Sequence, residues 1–408
     1  MGKNGKFGKD YGKVVGKDSK NRPGWKGPAY VKKPDPQTKA KPAQAEKSES
    51  VAEQLLPVDL QQLLLNICRD AFPDVLLSDT LQPLLQSVKS ALYERDFART
   101  FGREDHLQAY SIRWSPSRAL CYASILIDLR KHLYGLTLDA VKGSDGGSLL
   151  PPASTAQPTL RAVCFGGGAA EVIAFGGFLR FLNDCAAITQ AGSGDQADII
   201  EELSNLSLWD KTVKVDLLLI DSAEWNTVVL KLHQGLVTPP PLSKYASASA
   251  RQSNRSLIPA EMMATTFRSE DLLQPSQGQL LDDLVGKGPM LLTLLFTLNE
   301  LYTTSISKTT TFLLHLTTTA KPGTLLLVVD SPGSYSETTV GSEAKKYPMK
   351  WLLDHTLLET EKTRGEESIA SWEKVASENS QWFRIPERLR YPIPLENMRY
   401  QVHLYRRI

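Results

Sequence analysis

A run of three glycines joins a short apolar segment to a helical segment near the middle of the chain. Gly166, Gly167 and Gly168 follow the apolar residues 160–165, and Glu171 comes one helical turn later. A strand, a glycine turn and a helix in this order let the backbone approach a ligand closely and direct a helix N-terminus at it. A dinucleotide site would need glycine at position 171, where the glutamate would repel a pyrophosphate. The pattern therefore predicts a ligand that is not a dinucleotide; a tight turn without a ligand is the alternative.

A carboxylate follows each of the next two predicted strands. Asp221 ends the apolar residues 215–220, where it can accept hydrogen bonds from both hydroxyls of a ribose. Asp271 comes after a weaker strand and is placed to reach the amino group of an adenine. Either residue could instead serve the fold alone, Asp221 as a helix cap and Asp271 as a solvated loop acid. Together they favour a nucleoside as the ligand.

More polar side chains follow the apolar segments 290–297 and 324–329. They are Asn299, Glu300, Tyr302 and Asp330. The carboxyl ends of parallel strands meet at one edge of a sheet, which is where this kind of fold carries out its chemistry. We therefore expect these side chains beside the glycine turn. Phe296, near the end of the first of these segments, is expected to contact the same ligand.

Other classes of site and protein are disfavoured by the composition. The four cysteines are widely spaced without a CxxC motif, and the six histidines do not pair at ligand spacing, so we expect neither disulfides nor a metal site. No apolar run approaches the roughly 20 residues that a membrane-spanning helix needs. We therefore expect a protein of a reducing compartment that does not insert into membranes.

The elements that must position these residues fall into two regions. Residues 54–142 place apolar side chains such as Leu60 and Leu64 at helical spacing and predict a helical N-terminal domain. Residues 143–158, rich in Gly, Ser and Pro, predict a linker. Residues 159–408 alternate continuous apolar runs with helical segments, which is typical of strands buried on both faces in a parallel sheet. The predicted fold class is α/β.

Three segments interrupt this regular alternation. Residues 398–405 alternate apolar and polar side chains and predict an antiparallel strand at the edge of the sheet. Polar insertions near residues 184–212 and 233–258 are expected outside the sheet. The second contains three consecutive prolines and predicts a mobile surface loop.

Positive charge is concentrated at the N-terminus. Residues 1–50 contain 13 Lys and Arg against 5 Asp and Glu, whereas the remaining chain has 34 against 40. With few apolar side chains to bury, residues 1–53 are predicted to form a disordered basic tail. Its charge suits contact with a polyanion or a nuclear import signal, and solubility alone is the alternative. Residues 372–408 hold further Lys and Arg that could bind phosphates.

The order of these features resembles that of class I S-adenosylmethionine-dependent methyltransferases. Longer strings are similar to the fungal 25S (large-subunit) ribosomal RNA (uridine-N3)-methyltransferases, over about residues 54–408. These strings are RWSPSRALCY (113–122), FGGGAAE (165–171), TLNELY (297–302), DSPGSYS (330–336), KYPMKWLLD (346–354) and RYPIPLENM (390–398). The resemblance implies a Rossmann-like, mostly parallel seven-stranded sheet with an antiparallel last strand.

The same resemblance implies S-adenosylmethionine as the cofactor. Its methionine part would lie at the glycine turn, its ribose at Asp221 and its adenine at Asp271. This class usually carries an acid two residues before the first glycine, where this chain has Cys164. Glu171 is expected to take over the contact to the ammonium group of the cofactor.

The implied substrate is N3 of a uridine in ribosomal RNA or a pre-ribosomal particle, and the implied location is the nucleus or nucleolus. A sulfonium is already a strong methyl donor, so placing N3 in line with the methyl group would supply most of the acceleration. The N3 proton must also leave. Glu300 is the candidate general base, and Asn299 and Tyr302 are candidate hydrogen-bond anchors for the uracil carbonyls. Because N3 lies on the pairing edge, the uridine must be unpaired or flipped out.

Two other functions stay open on the sequence. The missing acid at Cys164 favours a methyltransferase-like module without activity that binds ribosomal precursors as an assembly factor. The third possibility keeps the methyl transfer and changes the acceptor to a protein.

Overall fold

The computed structural model describes residues 55–142, 157–191, 212–274, 277–333, 337–340, 345–359 and 371–408. These residues form one compact unit. The basic segment 1–53 and the linker 143–158, apart from its last two residues, lie outside the described part of the chain.

Helices precede the sheet, as the spacing of apolar residues predicts. They are α1 (Val58–Asp70), α2 (Pro73–Leu76), α3 (Leu81–Tyr93), α4 (Phe97–Phe101), α5 (Glu104–Arg113), α6 (Ser115–Asp128) and α7 (Arg130–Lys142). Helix α1 buries Leu60, Leu64 and Cys68, which recur every four residues on one face. Helix α6 is buried around almost its whole circumference, so it lies in the interior of the molecule.

The remaining chain alternates strands and helices. The strands are β1 (Thr159–Phe165), β2 (Lys214–Asp221), β3 (Met263–Ser269), β4 (Leu291–Leu295), β5 (Leu325–Asp330), β6 (Glu337–Val340), β7 (Lys345–Pro348), β8 (Trp372–Phe383) and β9 (Met398–Arg407). The helices are α8 (Ala169–Ala191), α9 (Asn226–Val237), α10 (Ala248–Ser253), α11 (Gln277–Val285), α12 (Leu298–Thr304), α13 (Ile306–Thr319) and α14 (Met349–Asp354). A short 3₁₀ helix (Ala260–Met262) and a π-helical turn (His355–Glu359) complete the described elements.

Seven strands form the central sheet in the order β3-β2-β1-β4-β5-β9-β8, and β6 and β7 pair separately. Strands β1 to β5 are parallel, and β9 is antiparallel to both of its neighbours. Every residue of β4 and β5 is buried, which explains their continuous apolar sequence. The α/β class I methyltransferase fold with an antiparallel last strand is confirmed.

The prediction that the last strand lies at the edge of the sheet is wrong. Strand β9 lies between β5 and β8, and β8 forms the edge. The polar residues that suggested a solvent face, Gln401 and His403, are buried and bond to each other, Gln401 Oε1 to His403 Nε2 at 3.0 Å. Ser377 on β8 reaches His403 Nδ1 at 2.8 Å. Hydrogen bonds inside the protein thus replace the water that the alternation predicted.

The N-terminal helices pack directly on the sheet layer. Their buried apolar residues belong to the same core cluster as those of β1, β2 and α8. Two glycines in α8 permit this close approach. A Cβ at Gly177 would lie 2.6 Å from Leu64 of α1, and one at Gly176 would lie 2.6 Å from Leu236 of α9. The packing of α6 and α8 holds the 54–142 region against the carboxyl end of the sheet, where it can contribute side chains to a site.

The two predicted insertions contain regular structure. Helix α8 continues into the first one and ends at Ala191, and residues 192–211 lie outside the described part of the chain. The second, 233–258, contains the end of α9 and the short helix α10. Within the described ranges, none of the helices has the length and apolar character needed to span a membrane.

Candidate functional site

The turn between β1 and α8 requires glycine at its first position. Gly166 has φ +71°, and its N–H donates to the carbonyl of Ile220 at 2.8 Å. A Cβ there would lie 2.3 Å from Thr297 Oγ1, so a side chain is excluded by both conformation and space. A Cβ at Gly167 would lie 2.7 Å from Cys164 Cβ. Thr297 and Cys164 therefore pack against the turn, which exposes its backbone and no side chains to the space above the sheet.

Glu171 folds back over this turn. Its Oε2 accepts the N–H of Gly168 at 2.8 Å, at the N-terminus of α8. The residue is 5% exposed, and burial raises its pKa to about 7, although the Gly168 hydrogen bond and the Arg118 guanidinium favour the charged form. Cys164, two residues before the first glycine, is fully buried and carries no acid. The carboxyl group at this end of β1 is therefore that of Glu171.

Asp221 lies at the carboxyl end of β2, next to the turn. Its Oδ1 accepts the N–H of Ala223 at 2.8 Å, which fixes the carboxylate. Burial raises the pKa of Asp221 to about 6, against the hydrogen bonds from Ala223 and the Trp225 side chain. A carboxylate held in this way keeps acceptor capacity for hydroxyl groups of a ligand.

The segment after β4 brings Phe296 and Glu300 to the same place. Phe296 has φ +57°, which is rare for a residue with a side chain, and its N–H donates to the Val329 carbonyl at 2.7 Å. Glu300 lies in the first turn of α12. Burial raises its pKa to about 8; Arg118 opposes this shift, and the carboxylates of Asp330 and Asp221 add to it.

These residues surround one cavity, the cofactor cavity, which encloses about 500 Å³ including its open mouth. Six residues of the predicted site line it. They are Gly166, Gly168, Glu171, Asp221, Phe296 and Glu300. Gly167 lies between two of them in the chain. The structure thus brings together side chains that come from the ends of β1, β2 and β4.

Other parts of the lining were missed by the sequence reasoning. They are Phe101, Tyr110, Ser115, Arg118, Tyr122 and Trp225. Five of the six come from the N-terminal helices α4, α5 and α6, and they close the cavity over the sheet. The Arg118 guanidinium bonds to the Tyr110 hydroxyl and lies 5.0 Å from the Phe296 ring centroid. The string 113–122 was a signal for this region, but it assigned no role to Arg118.

Besides Gly167, four predicted site residues do not line the cofactor cavity: Asp271, Asn299, Tyr302 and Asp330. Asp271 is exposed, and its carboxylate accepts the Leu273 N–H and the Gln274 amide, both at 2.9 Å, so it stabilises its own turn. The Asn299 N–H donates to Asp330 Oδ2 at 3.0 Å, behind Glu300. Tyr302 is 1% exposed in the second apolar core.

Comparison with known proteins decides the family. A family model described as SAM-dependent methyltransferase matches residues 68–406, which is most of the chain. The chain belongs to this methyltransferase family. Its match includes both the N-terminal helices that cover the cavity and the whole sheet.

The enzyme also has a curated relative. This relative is the 25S rRNA (uridine(2843)-N(3))-methyltransferase of Saccharomyces cerevisiae. The two sequences are 32% identical over 322 residues, which cover 79% of this chain and 76% of the relative. Solved methyltransferases are more distant. The CurJ carbon methyltransferase has 13% identity over 87% of this chain and 72% of its own, with a TM-score of 0.34. NodS of Bradyrhizobium japonicum WM9, solved with S-adenosyl-L-homocysteine, has 10% identity over 77% of this chain and 97% of its own, with a TM-score of 0.29.

The charged groups of the cavity complement the cofactor of the enzyme, S-adenosylmethionine. The cofactor carries a sulfonium, an ammonium and one carboxylate, a net positive charge. The lining presents three carboxyl groups, those of Glu171, Asp221 and Glu300, and one guanidinium, that of Arg118. A bound cation favours the charged forms of these carboxyl groups. Opposite charges on ligand and lining favour binding. No cluster of three or more His, Cys, Asp or Glu in the described ranges is arranged to hold a metal.

Proposed function

We propose that the enzyme methylates N3 of an unpaired uridine in large-subunit ribosomal RNA or a pre-ribosomal particle. The observation that carries this proposal is the 32% identity to the yeast uridine-N3 enzyme across 79% of the chain. The cofactor cavity supports it independently, because a carboxylate suited to proton removal lies in its lining. That carboxylate belongs to Glu300.

Glu300 is proposed as the general base. A catalytic base works best with a pKa near the working pH, and burial raises the pKa of Glu300 to about 8. When bound, the cofactor supplies an electrophilic methyl group on a positively charged sulfur. The Glu300 carboxylate takes the N3 proton, and the N3 electron pair forms the new bond to the methyl carbon. Transfer of the methyl group would leave the cofactor as a neutral thioether, and the Glu300 carboxyl group would hold the proton released from N3.

The remaining site residues are proposed to hold the cofactor or to support the base. Glu171 would pair with the ammonium group and Asp221 with the ribose hydroxyls, while the glycine turn leaves room for the methionine part. Asn299 and Tyr302 are proposed to support Glu300 through α12, because both lie on this helix, one bonded to Asp330 and the other buried in the core. Asp271 would reach the adenine only by giving up the bonds within its own turn.

Each region of the chain is proposed to have its own role. Residues 54–142 would cover the cofactor cavity and residues 159–408 would supply its floor, joined by the linker 143–158. The basic segment 1–53 would attract RNA and direct the protein to the nucleolus, where it would act in ribosome biogenesis. Imaging of fluorescent fusions with and without residues 1–53 tests the last point; an unchanged distribution would remove this role from the segment.

The decisive experiment is nucleoside mass spectrometry of ribosomal RNA from cells with and without the gene. Loss of one 3-methyluridine, restored by the wild-type gene and not by Glu300→Gln, is the expected result. An unchanged 3-methyluridine content would overturn the proposal. Calorimetry with S-adenosylmethionine distinguishes a methyltransferase from an inactive assembly factor, because the assembly factor would not need to bind the cofactor. Methyl transfer to ribonuclease-treated extract would instead indicate a protein acceptor.

A further inference from the structure

A second cavity adjoins the cofactor cavity. It lies between the α5–α6 junction and the start of β9 and spans about 530 Å³ including the solvent at its open mouth. Arg118 and Phe296 line both cavities. The guanidinium carbon of Arg118 is 5.0 Å from the Phe296 ring centroid, so the two side chains form a shared wall.

The shared wall is held firmly. Phe296 keeps its positive φ through the N–H bond to the Val329 carbonyl, and its ring stacks on Tyr122 with centroids 6.3 Å apart. Backbone strain of this kind persists only where the surroundings enforce it, and it concentrates at functional sites. A molecule in the second cavity would thus meet the cofactor cavity at a defined boundary.

The two cavities carry opposite charge. The second one is lined by three arginines and one glutamate: Arg113, Arg118, Arg399 and Glu396. Arg113 forms an ion pair with Glu396, and its side chain is 18% exposed. The Ser117 hydroxyl accepts the N–H of Glu396 at 3.2 Å, which ties the β9 approach to α6. The positive excess suits a ligand with phosphates, in a folded region that is otherwise mildly acidic.

Groups that can recognise a neutral base lie in the same lining. The Trp114 ring lines the cavity, and the Arg113 guanidinium carbon lies over it, 5.5 Å from the ring centroid. The Asn397 Oδ1 accepts the N–H of Ile385 at 2.8 Å, so its amide nitrogen is the group that can donate to a ligand. Donors from Asn397 and Arg118 match the two carbonyl oxygens that flank N3 of a uracil.

The cavity continues onto a basic and aromatic surface. Arg399 lies opposite Trp382 in the β8–β9 ladder, with its guanidinium carbon 5.8 Å from the Trp382 ring centroid. Arg384 lies 4.9 Å from the same ring. Trp382 is 38% exposed. A partly exposed indole beside two guanidinium groups can stack on a base and bind phosphates of a single strand.

We propose that the second cavity binds the acceptor nucleotide, with N3 of its base reaching past the edge of the Arg118–Phe296 wall to Glu300 in the cofactor cavity, and that the Trp382 surface binds the adjoining strand. This inference rests on the proposed function and names the substrate site that it needs. The base enters flipped out of its helix or from a single strand, because N3 is otherwise occupied by pairing.

Asn397→Asp tests the cavity without removing the bond to Ile385, since either carboxylate oxygen can accept that N–H. It removes the donor, so kcat/KM for RNA should fall at least about tenfold while the Kd for S-adenosylmethionine stays the same. Asn379→Asp is the matched control, because Asn379 lies on β8 away from the cavity and bonds through its oxygen to Lys350 Nζ at 2.6 Å. Trp382→Ala should raise the RNA KM about tenfold with little change in kcat.

Photo-crosslinking distinguishes failure of this inference from failure of the proposed function. An RNA with 4-thiouridine at the acceptor position should crosslink to the peptides that contain Trp114 or Asn397. If the wild type makes 3-methyluridine but crosslinks elsewhere, and Asn397→Asp equals its control, the acceptor site is misplaced and the proposed function stands. If crosslinks occur here but the product is not 3-methyluridine, the reaction is wrong and the acceptor site stands.

Discussion

Replacing Glu300 by glutamine should remove the proton acceptor and keep the shape of the cavity. Burial raises the pKa of Glu300 to about 8, so about one tenth of the free enzyme carries the charged form at pH 7 and about nine tenths at pH 9. The wild-type rate of methyl transfer should therefore rise about tenfold over this interval. A positive charge bound in the cavity would move the rise to lower pH without reversing it.

The assay is a single-turnover reaction with unmodified RNA and S-adenosylmethionine below their Kd values, so that the rate reports the free enzyme, measured between pH 6 and pH 9. Loss of a positioned base costs about 10² to 10⁴ in rate, so Glu300→Gln should be slower by at least about 100-fold at pH 7. Any rise with pH that remains in this variant follows ionisation of the uracil itself. Binding of S-adenosylmethionine, measured by calorimetry, should persist.

Glu387→Gln is the matched control, because Glu387 is exposed and lies outside the cofactor cavity. It should keep the wild-type rate and pH profile. If Glu300→Gln also reacted within about twofold of the wild type with the same profile, the assignment of Glu300 as the base would be refuted. Loss of cofactor binding in Glu300→Gln would place the residue in binding instead.

Four further outcomes follow from the site. Gly166→Ala should lose about 1 to 3 kcal/mol of stability and S-adenosylmethionine binding, measured by denaturation and calorimetry, because its Cβ would meet Thr297 at positive φ. Asp221→Asn should bind the cofactor about tenfold more weakly, because it loses a charge-assisted hydrogen bond. Tyr302→Phe should keep the rate within about twofold, because the ring is buried away from the cavity. Because the pKa of Glu300 is higher in the folded than in the unfolded state, the wild type without cofactor should lose stability as the pH rises from the unfolded-state pKa to the folded-state pKa. Glu300→Gln cannot ionise, so its thermal stability relative to wild type should increase over this pH interval.

Matched controls separate these outcomes from general damage. Gly135→Ala in α7 should be tolerated, because no atom lies within 4 Å of the added Cβ. Asp216→Asn should bind the cofactor normally, because Asp216 is exposed on the same strand as Asp221. A Tyr302→Phe enzyme that lost its rate while keeping its stability would restore Tyr302 as a residue of the site. A stability difference independent of pH would contradict the burial of the Glu300 charge.

The strands and the glycine turn were predictable because their causes are local. Continuous apolar runs identify β4 and β5, since such strands are covered on both faces. Gly166 needs its positive φ for a turn of a few residues. The edge strand β8 escaped prediction because its residues are mostly polar and half-buried. Because β8 was not predicted, β9 was assigned to the edge of the sheet. The polar residues Gln401 and His403, which are buried and bond to each other, produced the misleading alternation.

The site was predictable only as a set of candidates. Glu171, Asp221 and Glu300 were found because acids at the carboxyl ends of parallel strands meet at one edge. Asp271 occupies an equivalent place in the sequence but bonds within its own turn. Tyr302 shares a helix with Glu300 but points into the core. Spacing along the chain does not tell which side of a short helix faces a cavity.

The sequence by itself determined which chemical groups the protein has and the order of its apolar strands and amphipathic helices, because these depend on side-chain type and on short-range periodicity. Only the tertiary structure decided that Arg118 of α6 meets Phe296 after β4. It also decided how far the Glu300 charge is removed from water. Both follow from the packing of segments far apart in the chain, and distance and desolvation between such segments exist only once the chain has folded.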